Sequence, residues 1–334
     1  MWALDNLTPF EAERTWVRDK EGVHHWIVVV KATYDVQIDG SLGLAANQLK
    51  ALHAPKYSGA DGASSLRYDA DLVAIKPATD VYLNAIAYSP NGRPSTRVKV
   101  GMQVGGLRKE LTVVGHRTWS RTLAGVAPSL PEPFESMPIT YERAFGGYDH
   151  EDEDPRHHRL DFRNPVGTGV AANDARLVGK PAPNVEDPWQ KMGKGWPPGF
   201  GAIASYWSPR KELAGTYDDD WMTNRRPLLP VDYDPSCLLC SPPDQQVAGY
   251  LTGGETVELI NLTPNGHLRF TLPTVALSFQ SFFSWTRKDH AATLVSVIIE
   301  SEGPRLIVVW QTSLRCGNDA EYLDRTVIRR HGEL

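Results

Sequence analysis

Apolar positions follow a strand period at both ends of this chain and lose any period in its middle. His24–Val36 carries the β-branched run Ile27-Val28-Val29-Val30, then alternates through Thr33, Tyr34 and Val36, as a strand does. Leu72–Ile75, Thr79–Tyr88, Thr96–Val104 and Leu107–Val114 follow at short spacing, and Ser89-Pro90-Asn91-Gly92-Arg93-Pro94 is a turn between two of them. Gly105-Gly106 separates Val104 from Leu107 by two residues. That predicts a hairpin, because glycine supplies the positive φ of primed turns. Beyond the middle, Val247–Leu251, Thr256–Leu262, His267–Leu272, Leu294–Glu300 and Arg305–Gln311 read as strands, with turns at Asn265-Gly266 and Ser301–Pro304. Helical periodicity is scarce. Its best instance is Leu42–Leu52, with Leu42, Ala45, Leu49 and Leu52 roughly on one face. Short strands with turn signals between them predict a mainly β fold, a β-sandwich or open barrel built from both chain ends.

The middle has a different grammar. Residues 121–246 hold 17 of the 25 prolines, which fix φ and remove donors, so little of it can be helix interior or central strand. Disordered segments are poor in aromatic residues. This segment contains Trp189, Trp196, Trp207 and Trp221, with Phe134, Phe145, Phe162 and Phe200. It is expected to be an ordered, Pro/Gly/Trp-rich loop insertion spread over the β scaffold. No linker-like boundary interrupts the chain, so residues 1–334 are expected to form one unit: a β-rich part over 1–120, the loop-rich middle over 121–246 and a second β-rich part over 247–334.

Composition narrows the function classes. Hydrophobic residues are 41% and charged residues 22%, enough for a sizeable core. The net charge of −5 argues against direct binding to nucleic acid or an anionic membrane, which needs a basic surface. The N-terminus lacks the pattern of a signal peptide, and the longest apolar runs, Trp26–Val30 and Leu306–Trp310, are too short to span a bilayer. Three cysteines make a disulfide framework improbable. A cytoplasmic location is expected.

No nucleotide-binding, nucleophile-elbow or metalloprotease motif is present. Four weaker constellations remain. His150-Glu151-Asp152-Glu153-Asp154 with His157-His158 is dense enough for a divalent cation, but it fits no EF-hand spacing and reads better as a solvated charged loop. Cys237-Leu238-Leu239-Cys240 could be half of a zinc site, yet only Cys316 remains as a further thiol; buried small hydrophobes are the simpler reading. No metal and no cofactor are therefore expected. Loop carboxylates Glu142, Glu186, Asp187, Asp218, Asp219, Asp220 and Asp244, together with tryptophans, make a carbohydrate-active enzyme or sugar-binding module the alternative function. Each sits beside Pro, Gly or Asn, or among turn residues, where acids commonly cap turns. Arg143, Arg163, Arg210, Arg225 and Arg226 could grip a phosphate, but with so many acids nearby they read as internal pairs pinning loops.

The phrases of the middle, taken in order, resemble one family. Tyr141-Glu-Arg-Ala-Phe-Gly-Gly147, Asn164-Pro-Val-Gly167, Pro183-Asn-Val-Glu-Asp-Pro188, Pro198-Gly-Phe-Gly201, Ala214-Gly-Thr-Tyr-Asp218 with Trp221, Arg226-Pro-Leu-Leu-Pro230 and Pro242-Pro-Asp-Gln-Gln246 look like the DUF2169 family. Lys76-Pro-Ala-Thr-Asp80, Gly92-Arg-Pro94 and Leu111–Trp119 fit as well. The resemblance covers approximately residues 5–315. It departs at Cys237–Ser241, where such proteins usually carry a small, Asn/Ala-like stretch. The resemblance implies a bacterial, non-catalytic adaptor or chaperone of type VI secretion. Such a protein helps load a toxic effector onto the spike, formed by valine–glycine repeat protein with its PAAR cap. The family offers no catalytic residues to carry over. Proline-fixed loops lose little entropy on docking, and Trp, Tyr and Arg dominate hot spots. The expected partner-binding set is therefore Arg143, Phe145, Trp189, Trp196, Phe200, Trp207, Tyr217 and Trp221.

Overall fold

A computed structural model describes residues 2–331; Met1 and residues 332–334, the ends of the expected 1–334 unit, lie outside the described residues. Strands account for 42% and helices for 11%, and the sheets are open, not closed into a barrel. The largest runs in the order Ser136–Ile139, Asp80–Tyr88, Thr293–Glu300, Arg305–Arg315, His24–Val36 and Glu11–Arg18, with Leu42–Leu44 also pairing to His24–Val36. A second runs Val185–Glu186, Leu107–Val114, Arg97–Val104, Thr256–Ile260 and His267–Thr271. A third runs Ala3–Asn6, Leu323–His331, Ala276–Phe283 and Arg287–His290. Each sheet takes strands from both sides of the middle.

Why the run Ile27–Val30 is continuous rather than alternating follows from what covers it. Trp26, Val28, Val30, Ala32 and Tyr34 face a core shared with Val100 and Leu259 of the second sheet and Phe279 and Ile328 of the third. Ile27 and Val29 point the other way, beside Val295 and Val309. On that same opposite face Tyr82, Ile298 and Ile307 pack under Tyr141, Ile203 and Trp207, which come from the loop-rich middle. The great central sheet is thus buried on both faces, by sheets on one and by loops on the other, with Ala51 and Leu72 beside Ile27 and Val29 and the proline-rich middle over Tyr82, Ile298 and Ile307. A strand covered on both faces reads as an unbroken apolar run. Each such Val or Ile contributes about 1.5–3 kcal/mol on burial.

A buried ionic clamp fixes the loops to that face. The Asp80 carboxylate accepts from the Cys240 and Ser241 amides, both at 3.0 Å, and from the Ser241 hydroxyl at 2.8 Å. Lys76 Nζ donates to Asp80 at 2.7 Å and to Ser296 Oγ at 3.0 Å. Burial opposes both charges. The Asp80 partner nevertheless holds Lys76 above the ordinary lysine range, and Lys76 with the two amides holds Asp80 below the usual carboxylate range. Beside the clamp, Gln245 Nε2 donates to Val81 O and Phe200 O, and buried Arg210 joins Asp69, Ile203 O and Cys237 O.

Three expected elements differ. Leu42–Leu52 is not a helix: after the strand Leu42–Leu44 the chain is irregular, and the Gln48 amide bonds both backbone groups of Thr33. Leu72–Ile75 forms no strand, because the Gln311 side chain serves Val73 O and Lys76 N in place of a ladder. Val247–Leu251 makes only isolated bridges, at its edge and end. The strands Ala3–Asn6, Glu11–Arg18, Ala276–Phe283, Arg287–His290 and Leu323–His331 escaped the pattern reading.

Candidate interaction surface

The loops of the middle build an apolar trough on the protein's surface. Its floor begins at the phrase Tyr141–Gly147. A 3-10 turn over Tyr141–Arg143 leads into the strand Phe145–Gly146, which pairs in parallel with Thr168–Gly169. Asn164 bolts this corner: its side-chain amide donates to Tyr141 O at 2.9 Å and Phe145 O at 3.0 Å, while its carbonyl takes the Gly147 amide at 2.8 Å. Glycine is required at position 147, where φ is +113° and a Cβ would lie 2.5 Å from Gly167 O. From below, the Glu142 carboxylate accepts from the Ser65 amide and hydroxyl, both at 2.6 Å.

One wall is the two-stranded ribbon of Trp119–Thr122 and Gly125–Pro128, rooted by the Trp119 amide on Lys180 O and the Gly179 amide on Trp119 O. The facing wall carries Asp161, whose carboxylate is forked by Arg163 at 2.8 and 2.6 Å; Arg163 also donates to Gly195 O, joining that loop to the one before Trp196. Between them lies an open trough of about 880 Å³ lined by Trp119, Val126, Phe145, Leu160, Phe162, Val170, Leu177, Met192 and Trp196. A recess of about 180 Å³ shares Phe145, Arg163, Met192 and Trp196 with it. Phe162 is 57% exposed and Trp196 38%.

Of the eight residues proposed from sequence, the trough brings together Phe145 and Trp196. Phe200 and Trp207 are fully buried. Trp207 sits edge-on to Tyr141 at 5.3 Å, and both hold the loops onto the central sheet, so neither can touch a partner. Arg143 is half-buried and donates to Asn184 Oδ1. Tyr217 and Trp221 pack edge to face at 4.7 Å, with the Trp221 indole on Leu228 O, and do not line the trough. Trp189, 83% exposed, flanks a separate open cleft with Arg97, Lys99 and Glu110. Sequence reasoning passed over Trp119, Leu160, Val170, Leu177 and Met192. Trp119 itself lies just outside the proline-rich window, and isolated aliphatics in loops carry no period. Exposed Trp2, Trp285 and Tyr322, on the third sheet and its connections, were also missed.

Most of the loop groups singled out from the sequence are committed to structure. Glu186 pairs with Arg97 and Arg117, Asp187 caps Trp189, Asp218 caps Trp221 and Asp244 pairs with Lys109. Within the acidic loop, Asp149 and Asp152 pair with Arg176, and Glu151 with Lys180. Cys237, Cys240 and Cys316 are buried free thiols, and burial pushes all three up. Of the five arginines, Arg163 and Arg210 form acid pairs, while Arg225 donates to the carbonyls of Leu229 and Lys20. Among the described residues no cluster of three or more His, Cys, Asp or Glu is arranged to hold a metal ion, and no helix is long and apolar enough to cross a membrane.

No curated protein and no solved structure matches the chain. The sequence profile of DUF2169, described as an uncharacterized protein conserved in bacteria, matches residues 21–311, and the chain belongs to that family.

Proposed function

We propose that this protein is a non-catalytic adaptor that grips a partner protein through the trough on its loop-rich face. In the setting that the family resemblance implies, it acts in the bacterial cytoplasm and helps load a toxic effector onto the PAAR-capped type VI spike. The observation that carries the reading is the trough itself. Its floor is pinned by the Asn164 bonds and one wall by the Arg163 bonds, and large apolar side chains remain open to solvent above them. A preorganised surface of this kind docks at low entropic cost, and Trp and Phe anchors are what such docking uses. The carbohydrate reading is weaker. In the Trp189 cleft Glu186 is tied to Arg97 and Arg117 and Asp187 caps the Trp189 amide, which leaves Glu110 as the carboxylate without a hydrogen-bond or ion-pair partner among the described residues, whereas glycoside hydrolysis works through a pair of carboxylates flanking the sugar bond.

Co-expression with a PAAR-bearing spike protein and a toxic effector encoded beside it tests the proposal. A stable complex on size-exclusion chromatography is expected. Separate elution of all three proteins at micromolar concentration would count against it.

A further inference from the structure

The trough is apolar in its floor but its uncommitted charges are mostly basic. Lys191 and Lys194 line the recess and have no ion-pair partner among the described residues. The Arg159 guanidinium, at the trough's edge, donates to the carbonyls of Arg156 and His158 and has no acid partner among the described residues. Lys211 stands 6.0 Å above the ring of exposed Phe162, with no acid partner among the described residues. Two of the four acids lining the same surface are neutralised by cations. Asp161 is forked by Arg163 and Glu186 is shared by Arg97 and Arg117, whereas Asp187 takes only the neutral Trp189 amide and Gln190 and keeps its charge. The Asp174 carboxylate has no hydrogen-bond or ion-pair partner among the described residues, and the Asp174 carbonyl takes the Leu177 amide. With the groups bonded to the lining counted, Arg97, Arg117, Arg159, Arg163, Lys191, Lys194 and Lys211 stand against Asp161, Asp174, Glu186, Asp187 and Glu212, a small local excess of cations on a chain with 40 acids and 35 bases. The indole N–H of Trp119, in the trough wall, is also buried without an acceptor.

We infer that the trough takes an extended acidic segment of a partner protein, with one or two large apolar side chains seated between Phe162 and Trp196 and flanking carboxylates set against Lys191, Lys194 and Arg159. Apolar side chains supply the affinity; the rim charges supply orientation, on-rate and discrimination against basic segments. This rests on the adaptor reading and names the chemistry of the partner.

Selection of a displayed random dodecapeptide library on the intact protein tests it, because the library holds acidic, basic and neutral segments alike. The enriched peptides should carry an aromatic or long aliphatic residue flanked by Asp or Glu. Their affinity should fall about 30-fold for Trp196→Ala or Phe162→Ala, the loss expected of a hot-spot side chain. It should fall several-fold for Lys191→Glu with Lys194→Glu, and the salt dependence of binding should flatten in that variant. Trp285→Ala, on the third sheet, should bind as wild type. Basic or featureless enriched peptides, no enrichment, or binding indifferent to all trough variants would overturn the inference. So would concentration-dependent self-association through this face with no peptide bound. Failure of the spike and effector to co-purify, with acidic peptides still enriched and trough-dependent, would remove the secretion assignment and leave the trough's chemistry standing.

Discussion

The Asp80 carboxylate and the Ser241 hydroxyl, 161 positions apart in the chain, meet at 2.8 Å in a site closed to solvent. Asp80 lies in the central sheet and Ser241 opens the phrase Ser241-Pro-Pro-Asp-Gln-Gln246. Their contact, with Lys76 and the Cys240 amide, is where the loop-rich layer is fastened to the β scaffold. Asp80→Ala leaves the Lys76 ammonium buried and uncompensated, and should cost about 3–5 kcal/mol in urea unfolding. Ser241→Ala removes one bond to a charged acceptor and should cost about 1.5–3 kcal/mol. Replacing both charges, by Lys76→Met with Asp80→Leu, should cost less than Asp80→Ala alone. Equal loss in the single and double variants would show that the ion pair does not carry the effect.

Cys240 lies directly under this clamp, fully buried, 4.0 Å from Lys76 Nζ. Burial pushes its thiol well up, so it should react with an aromatic disulfide reagent only when the loop layer lifts. The native protein should show no fast-reacting thiol at pH 8, and Ser241→Ala should raise the Cys240 rate in proportion to its loss of stability. Rapid labelling of Cys240 in the native protein would mean that the clamp is open.

His290 supplies a pH dependence of a different kind. It bridges two sheets through Ser281 Oγ at 2.8 Å and Thr312 Oγ1 at 2.7 Å, and Ser281 in turn reaches Thr326, the acceptor of the Trp26 indole. Burial pushes His290 down to about 4, against the opposing pull of Asp289, from 6.5 in the unfolded chain. Above the unfolded value both states are neutral and stability is indifferent to this group. Between 6.5 and about 4 only the unfolded state binds the proton, so stability falls as pH falls, by at most about 1.4 kcal/mol per pH unit. His290→Gln should flatten that segment of the stability profile. An unchanged slope would remove His290 from the account.

The β scaffold was legible because backbone pairing leaves a period. The strand expected over Thr96–Val104 runs Arg97–Val104 and pairs with Leu107–Val114 through the hairpin expected at Gly105-Gly106. Leu323–His331, where the buried run Thr326–Ile328 is flanked by Asp324-Arg325 and Arg329-Arg330, has no two-residue period and carried no comparable signal. The false helix over Leu42–Leu52 shows the converse: four leucine and alanine positions fell on one face by spacing alone, while a side-chain bond from Gln48 to Thr33 decided the conformation. Loop order was legible from tryptophan content, but which aromatic side chains face water was not. Phe200 and Phe162 stand in similar Pro/Gly/Asn surroundings, and one is fully buried while the other is exposed. Their fates are set by which loop crosses the central sheet, a long-range fact that no local window contains.

The central claim is that the loop-rich face is a docking surface rather than only a cover. The most direct measurement is affinity purification of the tagged protein from its own bacterium, wild type against the Phe162→Ala with Trp196→Ala variant, with bound proteins identified and folding checked by circular dichroism. The account predicts that wild type brings down a PAAR-bearing spike component and a toxic effector, and that the folded variant loses the effector, the spike component or both. A folded variant that retains both partners at wild-type yield would contradict it and place the docking surface elsewhere, most simply on an exposed sheet edge such as Glu11–Arg18.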